Sequence, residues 1–196
     1  MKILTKTIKN LAIVSLILGW TLTIQGQTKF TAKSIVMTVT GTSTMHDWEM
    51  KSTVGDCIAT FTVDGNGNMT GVTSMNLSVS ATALKSGKGG MDKNAHKALK
   101  SANNPNIFAS LKSAEVTTKD NKTYTIKSII KLTIAGKNLE TELISTAKKV
   151  NDNSYSVKGE KKISMKDYDM SPPSFMLGAV KTGNDVVLNY DVVLNQ

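Results

Sequence analysis

The chain has 196 residues, of which 24 are basic and 15 acidic, giving a formal net charge of +9 at pH 7. All the basic residues are lysine, and aromatic residues make up only 5% of the chain. Arginine, which reads guanine edges and grips phosphate with paired hydrogen bonds, is missing, so the composition argues against a nucleic-acid-binding protein. A moderately basic surface instead suits anionic lipid head groups or acidic polymers.

Residues 1–26 have the features of a secretory signal peptide. Three lysines give a positively charged start, and an apolar run follows from residue 11 to residue 22. The run is too short to span a bilayer, and the small and polar residues at 25–27 are typical of a cleavage site. We expect cleavage near Gly26–Gln27, with an uncleaved anchor helix as the alternative.

Residues 27–196 are then one domain, long enough to build a full core. We expect an exported protein, periplasmic or secreted, with no integral membrane span after cleavage. The domain has one cysteine, so no disulfide can form within the chain. We expect Cys57 to act as a small buried apolar residue, with a free reactive thiol as the alternative. A symmetric homodimer is a possible assembly.

The segment Gly41–Trp48 reads Gly-Thr-Ser-Thr-Met-His-Asp-Trp and holds one of the two histidines of the chain. In a strand, Trp48 shares a face with His46 and Met50, while Asp47 points to the other side. His46 and Asp47 could not then chelate a metal together. The alternation predicts an inward Trp48, which either packs in the core or forms a wall of a ligand cavity.

Short alternating segments separated by Gly, Asn and Asp turns continue along the chain. In the clearest, 124–134, aliphatic residues and one tyrosine alternate with lysine and threonine. We predict strands at 34–40, 47–54, 59–63, 75–79, 107–116, 124–134, 139–148, 155–163 and 186–194. Such a series of hairpins predicts an all-β fold, either a closed antiparallel lipocalin-like barrel of about eight strands or a sandwich. The barrel is favoured because closure removes exposed edges in a chain with only three prolines to protect them.

A short helical insert near residues 92–101 interrupts the strands. Asp92 is the predicted N-cap, and Ala95 and Leu99 recur at helical spacing. Lys93 and Lys97 line the opposite face. His96 belongs with this exposed insert and has no predicted role.

The sequence offers little for catalysis. There is no H-E-x-x-H, no C-x-x-C pair and no G-x-S-x-G, and a catalytic zinc needs about three protein ligands. We expect no enzyme activity, no cofactor and no metal. A hydrolase using His46 is the least favoured interpretation.

Several motifs occur in an order that resembles the YceI-like family, lipocalin-like barrels associated with polyisoprenoid or other amphiphilic lipids. They are Gly41–Trp48, Met91-Asp92 with Leu99-Lys100-Ser101, Pro105-x-Ile107-Phe108-x-Ser110, Leu132-Thr-Ile-Ala-Gly136, and Ile163–Tyr168 through Pro172-Pro173 to Gly178 and 186–194. The resemblance implies binding rather than catalysis.

We therefore expect a barrel that sequesters or carries an isoprenoid-type lipid. The inward apolar residues expected around the tail are Trp48, Phe61, Met75, Leu77, Phe108, Ile130 and Leu132. Lys93 and Lys97 are expected at the mouth, against the polar end of the lipid. The alternative is an envelope stress or interaction module with a filled core and no ligand.

Overall fold

The computed structural model describes residues 26–196. Ten strands form β1 (Gly26–Ser43), β2 (Trp48–Ser52), β3 (Gly55–Val63), β4 (Met69–Ser80), β5 (Asn106–Thr118), β6 (Thr123–Ile134), β7 (Lys137–Asn151), β8 (Ser154–Ser164), β9 (Ser174–Phe175) and β10 (Val180–Asn195). One α-helix, α1 (Gly89–Ala98), lies between β4 and β5. Of the predicted signal peptide, residues 1–25 lie outside the described residues, and only Gly26 lies within them.

Eight of these strands close into an antiparallel barrel. Their order around the wall is β1, β3, β4, β5, β6, β7, β8 and β10, and β10 pairs back onto β1. β2 pairs with the second half of β1 and so extends the line of β3. The short β9 pairs only with the start of β10. The predicted barrel is confirmed, and each predicted strand lies within or largely within an observed one.

The period-two pattern decides which side chains face inward. Along β6, Tyr124, Ile126, Ile130, Leu132 and Ile134 are all buried, as predicted. The lysines between them are exposed. Because successive side chains of a strand point to opposite faces, this single alternation puts one face of β6 inside the barrel.

The two ends of the barrel differ. At one end four rings pack together, with centroid separations of 4.8 to 6.0 Å. We call this cluster the aromatic plug; its members are Phe30, Phe61, Tyr124 and Tyr155. The other end, the mouth, is formed by the β1–β2 loop at 44–47, the insert at 81–105 and the β8–β10 connection at 165–179.

The wall is not hydrogen-bonded along its whole length. β4 pairs with β5 only through 76–80 and 106–110, which lie in the half toward the mouth. β7 pairs with β8 only from Ser145 and Gly159 toward the plug. A register shift between Leu111 and Ser113, where a β-bulge bends β5, occurs just where β4 and β5 separate. On each side, therefore, β5–β6–β7 is joined to the rest of the barrel over a fraction of its length.

The helix differs from its prediction. It begins at Gly89 and ends at Ala98, with Lys88 at the N-cap position and no side-chain cap. The predicted N-cap, Asp92, was wrong; it lies in the first turn. There its Oδ1 accepts hydrogen bonds from the backbone N–H and the hydroxyl of Ser86, each at 2.7 Å. A carboxylate at this position also favours the helix dipole, which explains how a helix can begin at two glycines.

Within 26–196, no helix combines the length and the apolar character that crossing a membrane requires.

Candidate functional site: a cavity beneath the mouth

The Gly41–Trp48 segment forms the hairpin between β1 and β2. Gly41 pairs directly with Trp48, and a Cβ at Gly41 would overlap the indole ring, which lies across the glycine. The indole Nε1 donates a hydrogen bond to the backbone oxygen of Thr42 at 2.9 Å. The glycine and the tryptophan thus fix each other's position, and the ring faces the interior as predicted.

Ser43 closes the loop of this hairpin. Its hydroxyl donates to the backbone oxygen of His46 at 2.7 Å and accepts from the backbone N–H of His46 at 3.2 Å. β2 begins at Trp48, so the predicted strand start at residue 47 was one residue early, and His46 and Asp47 lie in the loop. The Nδ1 of His46 is 2.8 Å from the backbone oxygen of Asp47, not from its carboxylate. Among residues 26–196, no three His, Cys, Asp or Glu side chains are placed to share a metal.

Beneath the mouth lies a cavity of about 380 Å³, which we call the mouth cavity. Its size falls in the usual range for small-molecule sites. The apolar residues around it are Val39, Trp48, Met50, Leu84, Met91, Ala95, Ala98, Leu99, Ile107, Ile134, Ile163, Met165, Met170, Pro173, Phe175, Val180, Val186 and Leu188. Within the described chain, Ser43, His46, Lys88 and Thr182 bring polar groups to its lining. A long apolar wall with a few polar groups is the arrangement that an amphiphile needs.

The helix α1 covers this cavity as a lid. Met91, Ala95 and Leu99 face the interior, at the helical spacing expected for one face. The lid is held by the bonds between Asp92 and Ser86, which keep the pKa of the Asp92 carboxyl below its ordinary value.

His96 has a role that the sequence prediction missed. The Nε2 of its half-buried ring donates to the backbone oxygen of Leu84 at 2.9 Å. This bond ties the middle of α1 to the segment that leaves β4, so His96 holds the lid in place. Helical spacing alone does not show such a bond, because its partner lies outside the helix.

A second space of about 120 Å³, the lower cavity, lies between the mouth cavity and the aromatic plug. Leu188 lines both spaces. The hydroxyls of Ser145 and Tyr190 are 2.6 Å apart in its wall. Desolvation by burial raises the pKa of Tyr190, although the Ser145 hydrogen bond acts in the opposite direction. The Tyr190 ring crosses Gly159, where a Cβ would overlap its hydroxyl.

The predicted lining residues divide between these two spaces. Trp48 lines the mouth cavity. The five that line the lower cavity are Phe61, Met75, Leu77, Ile130 and Leu132.

The structure corrects the expected position of Phe108, which lies on the outer surface and is 46% exposed. Its neighbours Ile107 and Ala109 are the inward residues of β5, and alternation turns Phe108 outward. The expectation rested on the apolar character of phenylalanine. The phase of the strand is the better signal of which side chains face inward.

The predicted head-group lysines are also displaced. Lys93 and Lys97 are exposed on the outer side of α1 and do not line the cavity, whereas Lys88 does. Because α1 begins at Gly89 rather than at Asp92, Lys88 sits at the start of the helix and can reach the rim. The residue at which α1 begins therefore decides which lysine reaches the cavity.

Cys57 is buried with 6% exposure and borders the lower cavity. Desolvation raises its pKa to about 11, the opposite of what a reactive thiolate requires. The prediction of a small buried apolar residue is confirmed.

Comparison with known proteins gives a family match over most of the chain. The YceI-like domain matches residues 20–194. No curated protein matches the chain.

Solved structures share the fold at low sequence identity. BcnA of Burkholderia cenocepacia is 14% identical, with a TM-score of 0.63 over 82% of this chain and 96% of that one. A polyisoprenoid binding domain from Saccharophagus degradans is 8% identical, with a TM-score of 0.60 over 85% and 97%. The YceI protein of Campylobacter jejuni is 18% identical, with a TM-score of 0.54 over 72% and 81%. At these identities the likeness establishes the barrel architecture alone.

Proposed function

The chain belongs to the YceI-like family of polyisoprenoid-binding barrels, and we propose that it sequesters or carries an isoprenoid-type or other amphiphilic lipid in its interior, without catalysis. The observation that carries this proposal is the mouth cavity, a space of about 380 Å³ with an almost wholly apolar lining. The name of the Saccharophagus degradans domain adds support, since it is described as polyisoprenoid binding.

The tail of the lipid would lie against Trp48, Leu99 and Ile163, all of which line the mouth cavity. Moving a methylene group from water into such a space stabilises the complex by about 0.8 kcal/mol, so a few isoprene units suffice for tight binding. A longer tail would pass Leu188 into the lower cavity and stop at the aromatic plug. The plug closes the far end, so the tail enters first and the polar end stays at the mouth.

The polar end would meet His46 and Lys88, the two residues of the lining that can carry positive charge. His46 and Lys88 thus replace Lys93 and Lys97 as the expected contacts of the head group. An anionic head group such as a phosphate suits a lysine ammonium, because charge-assisted hydrogen bonds are the stronger kind.

We further propose that the protein is exported and works in the periplasm or outside the cell. The support is the N-terminal pattern of positive start, apolar run and small-residue end. The rival function, a ligand-free module with a filled core, is disfavoured by the unfilled mouth cavity.

Filling the cavity tests the proposal. Ala98 lines the mouth cavity from α1, whereas Lys97 beside it faces solvent. We expect protein purified from cells to carry a lipid that organic extraction recovers and native mass spectrometry detects. Ala98→Trp should lose most of this lipid, because the indole takes the space of the tail.

Lys97→Trp is the matched control and should keep the lipid. A wild-type barrel that is lipid-free in native mass spectra, and that takes up no added prenol, would contradict the proposal. Equal retention by both tryptophan variants would move the site away from the mouth cavity.

Exchanging one lysine tests the head-group contact. Lys88→Gln should weaken binding of a prenyl phosphate but leave binding of the uncharged prenol unchanged, because only the charge at the rim is removed. Lys93→Gln, on the solvent side of the same helix, should change neither. Binding can be followed by the fluorescence of Trp48, the one tryptophan of residues 27–196, and equal effects of the two glutamine variants would remove Lys88 from the site.

A further inference from the structure

The β9–β10 hairpin at the mouth carries an unusual leucine at its tip. Leu177 is fully exposed, and its φ of 55° lies in the left-handed region. For a residue with a Cβ this conformation is unfavourable, and an exposed leucine gains nothing by packing. A strained backbone that holds an unpacked apolar side chain does not help the protein to fold, and this points to a role in binding.

A second exposed apolar side chain projects from the neighbouring loop. Met45 is 69% exposed at the turn between β1 and β2. The two loops are bonded together, since the backbone N–H of Thr44 donates to the oxygen of Lys181 at 3.0 Å and the N–H of Lys181 donates to the Thr44 hydroxyl at 3.2 Å. Met45 and Leu177 therefore project from one connected rim, which we call the apolar rim.

The apolar rim borders the entrance of the mouth cavity. Phe175 and Val180, the paired residues at the base of the Leu177 hairpin, both line the cavity. Ser43 and His46, from the loop that carries Met45, do so as well. An apolar ligand that leaves the cavity thus emerges beside Met45 and Leu177.

Charge distinguishes this end of the barrel from the other. The connections at the mouth (44–47, 81–105, 135–136 and 165–179) hold six lysines and four carboxylates, whereas those at the plug (64–68, 119–122 and 152–153) hold two lysines and three carboxylates. Of the mouth carboxylates, Asp92 is bound by Ser86 and Asp169 by Lys137. Basic groups around apolar tips are the combination that attaches proteins to anionic bilayers.

We propose that the mouth docks on an anionic phospholipid bilayer, with Leu177 and Met45 inserted at the interface and the surrounding lysines against the head groups. Docking places the cavity entrance on the membrane, so a lipid moves between bilayer and barrel without crossing water. The use of the surface for lipid transfer rests on the proposed function, but the docking itself does not require a bound lipid.

Vesicle co-sedimentation tests the docking. The full chain should bind vesicles of phosphatidylcholine mixed with phosphatidylglycerol more tightly than vesicles of phosphatidylcholine alone. Leu177→Asn should weaken this binding by roughly tenfold or more, the effect expected from withdrawing one leucine side chain from an apolar phase. Asparagine tolerates the left-handed backbone, so the hairpin keeps its shape.

Val150→Asn is the matched control. Val150 is 61% exposed near the plug, lies at a register irregularity of β7, and receives the same new side chain. The Val150→Asn variant should bind vesicles as tightly as the wild type does. Equal weakening by the two variants, or no binding of wild type to the anionic vesicles, would overturn the docking proposal, as would self-association of the wild type without vesicles that Leu177→Asn abolishes.

A parallel measurement of prenol binding in solution separates this proposal from the proposed function. Leu177→Asn should bind prenol as the wild type does, because its side chain does not line the cavity. A wild type that binds prenol but no vesicle leaves the carrier function standing and removes the docking. A wild type that docks through Leu177 but binds no prenol leaves the docking standing and removes the carrier function.

Discussion

At the scale of single residues, the mouth cavity depends on the contact between Gly41 and Trp48. The indole occupies the space that a side chain at position 41 would need, and its N–H is held by the Thr42 carbonyl. The Gly41–Trp48 motif therefore holds the indole ring of Trp48 against β1. The ring then serves as a cavity wall.

Replacing the glycine tests this dependence. Gly41→Ala should destabilise the protein by about 1–3 kcal/mol, because a methyl group is forced into a filled space. Gly41→Ala should also shift the fluorescence emission of Trp48, the one tryptophan of residues 27–196. Gly65→Ala is the control, since a Cβ there meets open space, and chemical denaturation should show a change below about 0.5 kcal/mol.

The inward position of Trp48 can be predicted from sequence because the charged residues Glu49 and Lys51 alternate with Trp48 and Met50 along β2. The outward position of Phe108 is also contained in the sequence, since Ile107 and Ala109 set the phase of β5. The position of Lys88 at the rim cannot be predicted from the sequence, because it depends on where α1 begins. That start is set by a bond between Asp92 and Ser86, which helical periodicity does not contain.

At the scale of elements, α1 acts as a lid held at defined points. Asp92 anchors its first turn to Ser86, and His96 ties its middle to Leu84. The segment before it pairs with β2 through reciprocal backbone bonds between Lys51 and Lys85. We expect the lid to loosen locally while the barrel wall stays intact, because these bonds are separate from the ladders of the wall.

Removing one anchor should loosen the lid alone. Asp92→Ala should accelerate hydrogen exchange of the α1 amides several-fold while leaving the strands protected, because the carboxylate that holds Ser86 is gone. Asp120→Ala is the control, because Asp120 accepts the same kind of bonds in the β5–β6 turn at the far end. Faster α1 exchange in both variants would contradict a local anchor.

The same anchor has a defined pH dependence. Hydrogen bonds from Ser86 lower the pKa of Asp92 in the folded protein. The stabilisation of the folded lid by the Asp92 carboxylate is therefore complete above the unfolded pKa, near 4. It is lost as the pH falls through the lower folded pKa. Exchange of the α1 amides should accelerate in acid in the wild type but much less so in Asp92→Ala.

At the scale of the whole molecule, the alternating segments and their short turns favour the closed barrel, and the helical spacing of Ala95 and Leu99 predicts its short insert. Alternation cannot reveal the division of the interior into two cavities, since the position of Leu188 relative to the aromatic plug depends on the assembled wall. Nor can it show the unpaired stretches between strands. These arise where bulges and partner choice separate neighbouring strands that are each regular in sequence.

The buried interior should make the barrel sensitive to alkali. Burial raises the pKa of Cys57 from 9.0 to about 11 and that of Tyr155 from 10.0 to about 12. The folded state holds these protons more tightly, so stability is complete below pH 9 and falls as the pH rises through the folded values. The loss is about 1.4 kcal/mol for each pH unit that separates a folded pKa from its unfolded value. Urea denaturation across this pH range measures the loss of stability.

Cys57→Ala isolates one of the two groups. In this variant the decline should begin about one pH unit higher, near the unfolded pKa of tyrosine. The same onset in wild type and variant would show that the thiol does not contribute.

The incomplete pairing of the wall has a mechanical consequence. The three strands β5, β6 and β7 are joined to β4 near the mouth and to β8 near the plug, which are diagonally opposite corners. We expect a sheet fastened at two such corners to pivot about the line between them more easily than a sheet paired along both edges, because fewer ladder hydrogen bonds resist the motion. In the proposed carrier, this pivot would widen the bore for a thicker tail, against side-chain contacts and bonds such as that from Lys161 Nζ to the backbone oxygen of Glu142.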